Sequence, residues 1–127
     1  MFDRLSAYAP QALAVLRIVT ALLFILHGTQ KVIGFPAMEG GTPPLMTLFG
    51  AAGLIEIVTG ILILVGFFTR PAAFIASGTM AVAYWMVHVG MGGLIPTNNG
   101  GDAAILFCFV FLYLVFVGPG AWSVNKK

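Results

Sequence analysis

Residues 12–31 read ALAVLRIVTALLFILHGTQK. The run is long enough to cross a bilayer, which takes about 20 apolar residues of helix. It nevertheless carries Arg17, His27 and Lys31. A cation inside a membrane span costs on the order of 3 kcal/mol, so it is normally retained for a partner or a task. Most of the other polar residues of the chain read as answers to these three.

Working outward, the 127 residues are 60% hydrophobic and 8% charged, with a mean hydropathy of +1.04. A soluble domain carries about 25% charged residues, so this chain lacks the side chains to cover a water-facing surface. Stretches suited to membrane helices fall near 11–33, 45–67, 71–89 and 102–117. Joined by short connections, they use up the chain as one domain over residues 1–127. The expected fold class is all-α, an integral membrane up-down four-helix bundle in a lipid bilayer. Arg17 interrupts the apolar core that a signal peptide would need, and no small-residue cleavage site follows, so the first span reads as retained.

The charges set an orientation. Arg4, Arg70, Lys126 and Lys127 fall on one side of an up-down topology, while Glu39 and Asp102 fall on the other with Lys31. The positive-inside rule then places both termini in the cytoplasm of a bacterial inner membrane. Nothing resembles a basic nucleic-acid surface, so no nucleic-acid partner is expected. Cys108 is the one cysteine, which excludes a self-contained dithiol enzyme.

The polar positions follow helical spacing. Leu13, Arg17, Thr20, Phe24, His27, Gly28 and Lys31 fall on one stripe of the first helix. A stripe with Arg and His should face the interior. The second helix holds one charge, Glu56, with Ala52, Gly53 and Gly60 letting a neighbour come close. Arg17 and His27 are offset from Glu56 by roughly 7 Å along the membrane normal, on opposite sides. The long stem of Arg17 can cover that distance, as a register-setting ion pair or as part of a polar path. Glu56 also lies below the His27–Lys31 stretch as a partner for it. Thr42-Pro43-Pro44 reads as this helix's start. In the third helix, Ser77, Ala81, Tyr84 and His88 share a face. The apolar connection 90–101 could fold back as a lid. Asp102 opens the fourth helix, either as a helix-dipole acid or as a site residue. On that helix Asp102, Leu106, Phe109, Tyr113 and Phe116 share a face. The candidate polar pocket is therefore His27, Lys31, Glu56, His88, Asp102, Arg17 and Tyr84, near the outer leaflet, with Tyr113 also lining it. No metal site is expected.

Five short motifs recur in series: His27-Gly28-x-x-Lys31, Gly53-x-x-Glu56-x-x-x-Gly60, Thr69-Arg70-Pro71-Ala72-Ala73, Asn99-Gly100-Gly101-Asp102 and Gly118-Pro119-Gly120-x-Trp122-Ser123. Together they resemble the DoxX family of small bacterial inner-membrane proteins, over nearly the whole chain. The resemblance implies a four-helix membrane bundle. It also implies a link to quinones through related subunits of archaeal thiosulfate:quinone oxidoreductase. A mycobacterial relative is tied to a membrane complex with superoxide dismutase and a thiosulfate sulfurtransferase. The resemblance supplies no catalytic residue.

Two functional readings follow, and whether the chain is itself an enzyme stays open between them. In the first, the chain is the membrane subunit of a quinone-linked or redox-stress oxidoreductase system. His27 or Lys31 would donate to a quinone carbonyl, and His88 with Asp102 would handle protons. The chain shows no redox centre of its own, so a membrane or soluble redox protein would have to supply electrons. In the second, it is a non-enzymatic assembly or scaffold partner whose polar core specifies packing. Its small-residue seams would then meet another membrane protein, and a homo-oligomer is compatible with them. Haem ligation by His27 and His88 rests on two histidines alone. A transport pathway is disfavoured by the sparse polar path and by the absence of an internal repeat.

Overall fold

A computed structural model describes residues 2–37 and 48–127. It is all-helical, with no strand among the described residues. A 3-10 turn, Phe2–Tyr8, leads directly into α1, Ala9–Val32. Pro10 falls in the first turn of α1, where a missing N–H costs nothing. The expected start of the second helix at 45 and its Thr42-Pro43-Pro44 signal lie outside the described residues, as does Glu39. Among the described residues α2 spans Leu48–Val65.

The end of α2 is set by Gly66 at φ +73°. Phe67 N donates to Leu62 O at 2.9 Å and Gly66 N to Ile63 O at 3.1 Å. That pair of bonds is a Schellman closure, which favours glycine because the left-handed backbone crowds a Cβ. α3, Thr69–Ala83, begins at once. It continues through a π-helical turn, Tyr84–His88, into α4, Val89–Gly92, so that 69–92 is one rod with a widened turn. The expected connection 90–101 contains a further short helix, α5, Pro96–Asn99. α6, Asp102–Val117, completes the set. Phe2–Val32 and Leu48–Val65 are long and apolar enough to cross a membrane; α6 is apolar but shorter.

α1 packs mainly against α2, and α3 mainly against α6. Both pairs depend on small residues. A Cβ on Gly28 would lie 2.8 Å from Gly53 O, and one on Gly53 would lie 2.8 Å from Lys31 Cβ. The α1 and α2 backbones therefore meet at these two glycines. In the other pair Ser77 Oγ donates to Cys108 O at 2.8 Å. Between the pairs, Phe24 meets Phe111 edge-on at 4.7 Å and Phe107 at 5.3 Å. Ile63, Met80 and Leu114 complete this core.

Two expectations are corrected here. On α6 the buried residues are Ala104, Phe107, Phe111 and Leu114. The stripe of Leu106, Phe109, Tyr113 and Phe116 is exposed, so Tyr113 points away from the interior. In a helix this uniformly apolar, no polar face marks the outside, and periodicity alone leaves the orientation open. The second correction concerns Arg17. It is fully buried, but its guanidinium donates to backbone carbonyls rather than to Glu56. Nη1 serves Pro119 O and Ala121 O, the latter at 2.9 Å; Nη2 serves Trp122 O at 2.9 Å. The segment 118–127 thus lies across one end of the helices. Ala121 N also reaches Pro10 O at 3.0 Å, and Val124 N reaches Val65 O at 3.1 Å.

Candidate functional site

The Gly28–Gly53 contact sets the register of α1 on α2, and the register decides who meets Glu56. The two helices run antiparallel: a Cβ on Gly28 would lie 3.1 Å from Glu56 Cβ, and one on Gly53 would lie 2.8 Å from Lys31 Cβ. The Lys31 side chain therefore has only to reach across about one turn to meet Glu56. Lys31 Nζ lies 2.6 Å from Glu56 Oε2 and 2.9 Å from Oε1. Glu56 has no exposed surface, and the Lys31 side chain is 15% exposed. The pair is therefore held out of water, where an ion pair needs good geometry to offset desolvation. Two of the three ammonium N–H groups are engaged by the carboxylate. The Lys31 ammonium also lies 5.8 Å from the Phe49 ring centroid, within cation–π range.

This pair forms the buried wall of a cavity of about 770 Å³. α1 contributes His27, Gln30 and Lys31, and α2 contributes residues from Leu48 to Glu56. α3 and its π turn contribute residues from Gly78 to His88, and Phe107 comes from α6. The size suits a drug-sized organic molecule, and a mostly apolar lining with a few placed polar groups is what small-molecule sites show. His27 is exposed at the rim, with its ring edge-on to Phe107 at 5.3 Å.

His88 is held from behind. Its Nδ1 lies 3.1 Å from Asn99 O. A carbonyl only accepts, so in the neutral ring Nδ1 carries the hydrogen and Nε2 remains an acceptor. Asn99, 4% exposed, is the hub of this arrangement. Its amide donates to Gly93 O at 2.8 Å and to Tyr84 Oη at 3.2 Å, and its oxygen accepts from Gly101 N at 2.8 Å. Tyr84 Oη donates onward to Leu94 O at 2.8 Å. The connection is thereby folded back and pinned against the π turn. π turns frequently occur at functional sites.

Of the seven residues expected to form one pocket, His27, Lys31, Glu56 and His88 line the cavity. Tyr84 is not part of its lining; it anchors the connection behind His88. Asp102 is exposed in the first turn of α6, directly after the Gly101 N-cap. Arg17 lies fourteen residues before Lys31 on the same helix, roughly 21 Å away along the axis. Sequence reasoning passed over Gln30, Thr79 and Gly78 as lining residues, and Asn99 as the hub. For Asn99 a signal existed: two asparagines and two glycines crowded ahead of an apolar helix.

The geometry can be set beside known proteins. The DoxX family model matches residues 12–89. The chain belongs to the DoxX family. A relative in Haemophilus influenzae, described there as an uncharacterized protein, is 48% identical, with 98% of this chain and 96% of that one aligned. Escherichia coli inner membrane protein YphA is 33% identical over 96% of this chain and 94% of its own. Escherichia coli inner membrane protein YqjF is 30% identical over 88% of each. No solved structure matches. In this DoxX-family membrane protein the Lys31–Glu56 pair and the α1, α2 and α3 walls of the cavity lie within the family-matched region, whereas the α6 wall with Phe107 lies beyond it. Asn99 and the segment 118–127 lie beyond that region.

Proposed function

We propose that this DoxX-family chain is an integral membrane subunit of a quinone-linked or redox-stress oxidoreductase system, and that its cavity receives a quinone ring. The observation that carries the reading is that the buried Lys31–Glu56 pair and His88 line one mostly apolar cavity of about 770 Å³. Lys31 retains one N–H beyond those held by Glu56, a donor for a carbonyl oxygen. His88 Nε2 is an acceptor for a hydroxyl. The two groups together suit a ligand that alternates between carbonyl and hydroxyl oxygens. A bound quinone would supply two-electron, two-proton chemistry; the protein's residues supply the slot, the orienting donor and a proton-accepting histidine. The electrons come from a partner redox protein.

The same reading takes α1, α2, the 69–92 rod and α6 as four spans of an up-down bundle in the inner membrane. Arg4, Arg70, Lys126 and Lys127 gather at the end where segment 118–127 meets Pro10, and the positive-inside rule then makes that end cytoplasmic. A water-soluble, tail-less benzoquinone titrated against purified protein tests the site. Saturable binding is expected, weakened at least about tenfold by Lys31→Met, the loss of one charge-assisted hydrogen bond. No saturable binding to folded wild-type protein would sink the reading.

A scaffold role is the second reading, favoured by one observation: both Glu56 oxygens are already taken by Lys31. The polar core would then serve packing specificity. His27→Gln with His88→Gln separates the two. Intact partner assembly with lost turnover removes the scaffold reading.

A further inference from the structure

The cavity has an exposed side as well as a buried one. On α2, Leu48, Ala51 and Ile55 line it and are exposed, at steps of three and four. Opposite them, Gly78, Val82 and Met86 on the α3 rod do the same at steps of four. Each set is one stripe of its helix, and neither stripe carries a polar side chain. The gap lies between the two tight helix pairs. α2 is drawn to α1 at Gly28 and Gly53, and α3 is tied to α6 through Ser77 and Cys108. The short turn 66–68 joins α2 to α3 at the far end from the cavity. At Gly78 a Cβ would meet nothing within 4 Å, so the slot is open at mid-length. In a bilayer these exposed apolar stripes face acyl chains, not water.

From this geometry we infer that the ligand is an amphiphile drawn from the bilayer, specifically a quinone with a long apolar tail. Its head meets Lys31 and His88, and its tail leaves sideways through the slot between α2 and α3. This rests on the reading of the cavity as a quinone site and adds the substrate class and the direction of entry. A small polar solute would not need a mouth flanked by Leu48, Ile55, Val82 and Met86. An acyl or isoprenoid chain would lie against these four exposed apolar side chains.

The test compares a tail-less dimethoxy-methyl-benzoquinone with its decyl homologue on wild type and Gly78→Phe. Gly78→Phe fills the slot. It should weaken the decyl quinone at least about tenfold, the scale of a steric overfill, and leave the tail-less quinone within about twofold. Gly78→Leu repeats the comparison with a smaller plug if the Phe variant melts early. Equal effects of the plug on both ligands, or none on either, overturn the slot while leaving the quinone site intact. Displacement of the decyl quinone by phospholipid alone, at matched tail concentration, reassigns the slot to acyl chains and also overturns the proposal. If wild type binds neither quinone, the underlying reading fails and takes this inference with it.

Discussion

The three basic residues of the first helix have three separate fates. Lys31 is paired with Glu56, His27 stands at the rim of the cavity, and Arg17 is locked to the chain's own backbone. Each fate predicts a different mutant. Glu56→Gln leaves a largely buried ammonium beside a neutral amide. Breaking a buried pair from one side costs about 3–5 kcal/mol, so the melting temperature in detergent should fall clearly. Pairing Glu56→Met with Lys31→Met should recover much of that loss, because no charge is then stranded. Arg17→Lys keeps the charge but loses the planar fork that reaches several carbonyls at once. Segment 118–127 should then become cleavable in limited proteolysis, with benzoquinone binding unchanged. Altered binding in that variant would return Arg17 to the site. The separation was hidden in the sequence because Arg17, His27 and Lys31 share one helical stripe. Only the neighbours along the stripe tell them apart.

At the scale of elements, glycine does opposite things on two helices. Gly53 is filled from outside: its Cβ would collide with Lys31 Cβ at 2.8 Å and Val32 Cγ2 at 2.9 Å. Gly78 faces empty space. Gly53→Ala should therefore destabilise by about 1–3 kcal/mol, as overpacking does. Gly78→Ala should be neutral or stabilising by about 0.5–1 kcal/mol through helix propensity. Parallel thermal unfolding of the two variants checks the contrast, and equal melting temperatures would refute the assignment of the α1–α2 crossing. Gly101→Ala should release the connection, since its Cβ would lie 2.7 Å from the Tyr84 ring. Faster amide exchange over 90–101 is the readout. The stripe on α1 was legible because Arg17, Thr20 and Gly28 break its apolar run and are buried as expected. The face of α6 was not, since apolar side chains surround that helix and leave no contrast to read.

For the whole molecule, the proposed four spans and cytoplasmic termini predict a definite pattern of sidedness. Reporter fusions after Phe67, within residues 90–95 and after Lys127 should read cytoplasmic, outside and cytoplasmic. Two adjacent fusions of the same sense would remove a span from the proposed four. α6 is the element at issue, because its 16 residues make roughly 24 Å of helix, short of a hydrocarbon core of about 30 Å.

Composition and the length of the apolar runs together determined that this chain is helical and belongs in a bilayer. With 8% charged residues it has no means of covering a water-facing surface, and runs of about 20 apolar residues suit spanning helices, not the shorter strands of a barrel. The spacing of small and polar residues determined which faces of α1 and α3 turn inward. The register between helices was decided only in three dimensions. Depth along a span is an estimate from the sequence, and an offset of a turn or two in each helix exchanges one candidate partner for another. The glycine contact between α1 and α2 makes that choice, bringing Lys31 and not Arg17 to Glu56. The cavity is a tertiary result for the same reason: it is the space left between two helix pairs drawn together elsewhere, and no single segment encodes it.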